Sequence, residues 1–184
     1  MADVFERPAK AQGPEGRRGA SNSRDRIQGD PLWFIEALFL AYRDFISEPD
    51  RILAEIGFGR AHHRVLYFVN RYPGMRVADL LEILQITKQS LARVLRELVR
   101  EGYVRRRSGE TDRRERLLYP TERGRALAVR LTELQIGKMR TALTAVGEEG
   151  AAAVAAFLRH MAPDAAQPGE QRRGRQAQNA GEEG

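Results

Sequence analysis

The chain has 184 residues, enough for one domain with a real core and too few for two comfortable ones. It has no cysteine, which excludes disulfides, thiolate metal sites, cysteine nucleophiles and thiol-based redox sensing. The formal net charge is +6, and residues 87–116 alone carry ten basic and five acidic side chains, a surplus equal to that of the whole stretch 30–162; one segment therefore holds the footprint of a polyanion-binding face.

Residues 1–29 and 163–184 are polar with almost no apolar clustering and read as disordered tails. The N-terminus lacks the apolar stretch of a signal peptide, and nothing approaches the roughly 18–20 uninterrupted apolar residues of a membrane span. A soluble, cytoplasmic protein without membrane contact is expected.

The ordered part opens at Asp30-Pro31, an N-cap followed by proline at the first helical position. Leu32, Ile35, Leu38, Phe39, Tyr42, Phe45 and Ile46 then recur at helical spacing, while Trp33, Phe34 and Leu40 add apolar surface outside that stripe. A helix this apolar on more than one side needs burial beyond its own small domain, which a dimer interface would supply. A second helix is predicted over Arg60–Asn70, closed by Tyr72-Pro73-Gly74, and a third over Val77–Leu84. A fourth restarts at Ile86-Thr87 and runs to Glu101, with Gly102 at C′. Tyr103–Arg107 and Glu115–Tyr119 are strand candidates around a polar tip, Ser108–Arg114. A long helix follows from Pro120-Thr121 to about Val146, and a last one from Glu148 to about Met161. The expected fold is mainly α with a small β-wing, a winged helix-turn-helix joined to a helical dimerisation region.

Only Gln85-Ile86 separates the third and fourth helices, the tight turn of a helix-turn-helix. Leu91, Val94, Leu95, Leu98 and Val99 form one face of the fourth helix; at 100° per residue Gln89, Arg93, Arg96 and Arg100 group opposite. Thr87 is placed to cap, and Lys88, Gln89 and Ser90 lie in the first turn, which an inserted recognition helix presents to base edges. In the hairpin, Arg105, Arg106 and Arg107 rise along one strand and Arg113, Arg114 and Arg116 return along the other. A tip arginine suits the narrow, electronegative minor groove. Asp112 would repel phosphate, so it is read as orienting an arginine, with simple turn formation as the competing role.

No Ser-His-Asp spacing, metal motif or Gly-rich phosphate loop is visible, so no enzymatic activity and no cofactor are expected. His62-His63 is a poor chelate without a third ligand, because adjacent helical residues point about 100° apart. Trp33, Phe34, Phe39, Tyr42, His62 and His63 could line a small-molecule effector pocket, although dimer packing explains the aromatics equally.

The run VADLLEILQITKQSLARVLRELVREGYVRRRSGETDRRERLLYPTERG resembles the winged helix of MarR-type regulators almost end to end. The matching motifs are Leu95, Leu98 and Gly102-Tyr103-Val104, then Asp112-Arg113-Arg114, then Thr121-Glu122-Arg123-Gly124. The stretch HHRVLYFVNRYPG looks most like the PetP-type subgroup. The chain departs from the family at Pro120, where many members have Leu, and at Arg113, where many have Pro. The resemblance extends over about 30–162, with the winged helix at about 60–120 and dimerisation helices at about 30–58 and 121–161. It implies a homodimer on a near-palindromic site, acting on double-stranded DNA most often as a repressor and controlled by a small ligand. It also implies that Arg114 is the minor-groove arginine and Asp112 its partner. The rival reading is a non-specific DNA-organising protein that shares the basic face but discriminates little between sequences.

Overall fold

In the computed structural model, which describes residues 30–109 and 115–162, helix α1 (Pro31–Ala54) begins where Asp30 Oδ1 accepts the Leu32 amide at 3.0 Å. The expected tails and the wing-tip residues Asp112, Arg113 and Arg114 lie outside the described residues. The chain divides into two compact units between Ala41 and Tyr42. In the first unit, Leu32, Ile35, Leu38, Phe39 and Leu40 are exposed, and the Trp33 and Phe34 rings meet edge-on at 5.1 Å.

The second unit carries the rest of α1, then α2 (Arg60–Arg71), β1 (Met75–Arg76), α3 (Val77–Leu84), α4 (Lys88–Arg100), β2 (Val104–Ser108), β3 (Arg116–Pro120) and α5 (Glu122–Met161). Side chains from most of these elements fill its core: Leu53 from α1, Val65 and Val69 from α2, Leu80 from α3, Leu91, Leu95 and Leu98 from α4, Leu118 from β3 and Leu131 from α5. Each such aliphatic side chain taken from water contributes about 1.5–3 kcal/mol, which binds the helices into one cluster.

The strands form a three-stranded antiparallel sheet in the order β1-β3-β2. Met75 and Arg76 pair with Leu118 and Leu117, and Val104 through Ser108 pair with Pro120 back to Arg116. Both hairpin strands sit one residue later than their sequence pattern suggests, and for β2 the reason is that Tyr103 still belongs to the helix end. Its amide bonds Leu98 O at 2.8 Å and the Gly102 amide bonds Val99 O at 3.1 Å, with Gly102 left-handed at φ 73°. The helical stretch after Thr121 is continuous to Met161 except at Gly147, whose φ of 70° and ψ of −177° break the helix between the two segments read from the sequence.

Candidate nucleic-acid interface

The turn into α4 is built from Gln85, the one non-glycine residue with positive φ (50°) among the described residues, and Thr87. Thr87 Oγ1 accepts the Ser90 amide at 3.1 Å and donates to Ser90 Oγ at 2.9 Å. This N-cap holds Lys88, Gln89 and Ser90 in a regular first turn, all three exposed. Leu91, Val94, Leu95 and Leu98 are buried, so Arg93, Arg96 and Arg100 are carried outward. Val99, expected on the buried face, is 37% exposed; it lies at the edge of the apolar arc, beside Arg96 and Arg100.

The far end of α4 is held by the first turn of α5. Thr121 Oγ1 donates to Gly102 O at 2.6 Å and accepts the Gly124 amide at 3.0 Å, so one hydroxyl caps α5 and ties it to the loop. Arg123 donates to Glu101 O at 2.8 Å, with its guanidinium 4.3 Å from the Tyr103 ring centroid. A side chain at Gly124 would run into the Tyr103 carbonyl. The Thr-x-x-Gly motif is thus a clasp on the end of the basic helix.

Register sorts the wing arginines into two faces. Arg105 and Arg107 flank the Tyr119 ring at 5.6 and 5.4 Å. Arg106 and Arg116 point to the other face, where with Lys88 they rim a groove of about 390 Å³ floored by Val77, Leu81 and Leu91. Arg116 also donates to Ser108 Oγ across the strands at 3.1 Å. Lys88, Arg93 and Arg96 therefore line the exposed side of α4, with Arg106 from β2 and Arg116 from β3 beside them. Sequence alone does not separate Arg106 from the arginines on either side of it; strand alternation does so once the register is known.

Three acidic side chains, Asp79, Glu115 and Glu97, are held by partners beside this surface. Arg76 donates to Asp79 and to Glu115, and its pKa is raised, chiefly by the hydrogen bond to Asp79. Glu97, on α4, receives His62 Nε2 at 2.6 Å, and that bond is the largest cause of its lowered pKa.

A separate cavity of about 420 Å³ has Tyr42, Phe45, His63, Tyr67, Ile136 and Met139 in its walls. Asp50 and Arg60 pair in the same wall at 2.8 Å, while Asp50 Oδ1 is buried without a hydrogen-bond partner. His63 is 8% exposed, and burial lowers its pKa against the pull of Asp50 and Gln135. Of the expected pocket residues, Tyr42 and His63 line this cavity. His62 does not: its ring stacks on Phe58 at 4.5 Å and turns to Glu97. Trp33 and Phe39 belong to the first unit.

A family model described as MarR family matches residues 56–115. Over 127 residues the chain is 48% identical to the HTH-type transcriptional regulator PetP of Rhodobacter capsulatus, covering 69% of this chain and 76% of that protein. Among solved structures, Streptococcus pneumoniae FabT in complex with DNA matches with a TM-score of 0.63 at 18% identity, covering 72% of this chain and 94% of that one. S. aureus MepR in its DNA-binding conformation matches with a TM-score of 0.63 at 19% identity, covering 70% and 95%. The structural likenesses carry the winged-helix fold, and the sequence likeness carries the kinship. The chain belongs to the MarR family of DNA-binding transcriptional regulators, whose members are not enzymes.

Proposed function

We propose that the protein acts in the cytoplasm as a homodimeric repressor on a near-palindromic operator, and that a small ligand in the cavity beside His63 releases it. The observation that carries this reading is the α4 face. Its first turn is capped by Thr87, its last is clasped by Thr121 and Arg123, and its exposed side holds Lys88, Gln89, Arg93 and Arg96. A helix held at both ends presents those groups to the major groove in one register. Ser90 and Gln89 then read bases, and the longer cations meet phosphates. Arg107, Arg116 and the tip residues Asp112, Arg113 and Arg114 serve the flanking minor groove, with Asp112 orienting Arg114.

Exposed apolar surface supports the reading of two copies per operator. In α5, Val146, Val154, Phe157, Leu158 and Met161 are each at least 40% exposed. One window of this helix is apolar enough by length and composition to cross a membrane, with mean hydropathy 1.2. The break at Gly147 and the exposed Glu148-Glu149 pair favour a protein partner over lipid, where each central carboxylate costs about 2.5–3.5 kcal/mol. The cavity favours an apolar effector with a hydrogen-bond donor, which would satisfy Asp50 Oδ1.

Selection of bound duplexes from a random pool tests the regulator reading. An inverted repeat with half-sites about one helical turn apart is expected, bound by two chains in sedimentation. An affinity ratio near one between selected and scrambled duplexes, across salt concentrations, would overturn it.

A further inference from the structure

Arg76 occupies an unusual crossing point. It is the last residue of β1 and the residue before α3, so its backbone is common to the sheet and to the first helix of the helix-turn-helix. Backbone pairing between β1 and the hairpin stops at Leu117. The hairpin continues past that point, with the Gly109 amide bonding Glu115 O at 3.1 Å. A two-stranded ribbon without a neighbour twists and bends easily.

The Arg76 side chain reaches along the ribbon beyond the end of that pairing. Its Nη1 donates to Glu115 Oε1 at 3.1 Å, while Nη2 and Nε hold Asp79 in the first turn of α3 at 2.6 to 3.2 Å. Asp79 also accepts the Arg76 amide at 3.3 Å, so the helix start and the guanidinium are fixed together. The three side chains are only 20–37% exposed, which shields the pairs from the screening that weakens ordinary surface bridges. A planar guanidinium with several donors suits a two-carboxylate bridge; a lysine ammonium would not span both with the same directionality.

The geometry points to Arg76 as a positioning residue for the wing: bridging Asp79 and Glu115, it sets the angle at which β2 and β3 present Arg106, Arg107 and Arg116 relative to α4. It acts on DNA through the ribbon and not by touching it. The inference rests on the DNA-binding reading of α4 and the wing, and its test separates the two.

Arg76→Ala, Arg76→Lys and Glu115→Ala are compared with the unaltered full chain on a duplex selected from a random pool. Guanine N7 methylation protection reports the major groove, and hydroxyl-radical cleavage reports the flanking minor groove. Glu115→Ala removes only the wing end of the bridge, leaving the Arg76–Asp79 pair and the helix start in place. The expected result is that both alanine variants bind about tenfold more weakly and no longer protect the minor groove, while major-groove protection persists at saturating protein. Arg76→Lys should fall between. Weaker binding in Arg76→Ala with unchanged binding in Glu115→Ala would overturn the proposal, since Arg76 would then act on DNA or on α3 alone. Retained minor-groove protection in Glu115→Ala would overturn it equally. If the unaltered protein selects no sequence at all, the DNA-binding reading fails first.

Discussion

His62 Nε2 and Glu97 Oε2 stand 2.6 Å apart, joining α2 to the middle of the basic helix across 35 residues of sequence. The Gly59 amide donates to Nδ1 of the same ring at 3.1 Å, so the ring proton sits on Nε2 and is given to Glu97. One imidazole therefore closes the start of α2 and anchors α4, with Phe58 stacked on its face. Arg93 and Arg100 add to the His62 hydrogen bond in favouring the Glu97 carboxylate.

His62→Ala removes both hydrogen bonds and a buried ring, and a fall of several degrees in Tm is expected by circular dichroism. Glu97→Gln retains an acceptor for His62 and removes only the charge. It should leave Tm nearly unchanged and tighten binding to scrambled duplex by about two- to fivefold, because a carboxylate leaves a phosphate-facing helix. Equal losses of stability in the two variants would show that the charge, not the bond, matters.

Thr87→Ala should cost about 1 kcal/mol of stability, the usual worth of an N-cap, measured by urea unfolding. The same change loosens the turn that holds Lys88, Gln89 and Ser90. Affinity for a selected duplex should therefore fall more than affinity for a scrambled one. Gln89→Ala should change sequence preference while leaving stability alone; an unchanged selected sequence would remove Gln89 from the base-reading set.

Arg93, Arg96 and Arg106 differ in origin, two from α4 and one from β2, yet all face outward near the same groove system. Removing one cation that neutralises a phosphate should reduce the slope of log affinity against log salt by about 0.9. Single alanine variants at these positions are expected to show that reduction on scrambled duplex as well as on selected duplex. A slope unchanged in Arg106→Ala would return the β2 arginines to an ordinary solvated strand.

What the sequence exposes here is what is local. The two-residue turn at Gln85-Ile86, the cap at Thr87, the left-handed Gly102 and the break at Gly147 each follow from neighbouring residues, and the structure has each of them. What it conceals is pairing at a distance. β1 has two residues and exists only because Leu117 and Leu118 lie opposite it, some forty residues on. Arg76–Glu115 and His62–Glu97 leave no periodic trace for the same reason. His62 and His63 look equivalent in sequence; the 100° between adjacent helical residues sends one to α4 and the other to the cavity wall.

Gly124→Ala tests the clasp on α4. An added methyl would fall 2.8 Å from the Tyr103 carbonyl carbon and closer still to its oxygen, which also accepts the Thr121 amide at 3.1 Å. Backbone on both sides leaves nothing flexible to yield, so a loss of about 3 kcal/mol or more is expected by urea unfolding. A neutral outcome would mean that α5 can shift away from the loop, and that the Thr121 and Arg123 bonds do not fix the end of α4.

His63 gives the chain a pH dependence of definite sign. Burial lowers its folded pKa below the ordinary imidazole value, and Asp50 and Gln135 recover only part of the shift. As pH falls through the unfolded value, about 6.5, the unfolded chain takes up a proton that the folded chain resists. Stability should therefore be full above that pH, decline below it, and level off once the pH passes the folded pKa. His63→Leu keeps an apolar side chain in the cavity wall and removes the titration. Its Tm should change less between pH 7.5 and 5.5 (both about one unit from the unfolded value) than that of the unaltered protein. If the two profiles run parallel, the acid sensitivity belongs to other groups and His63 is a packing residue of the cavity.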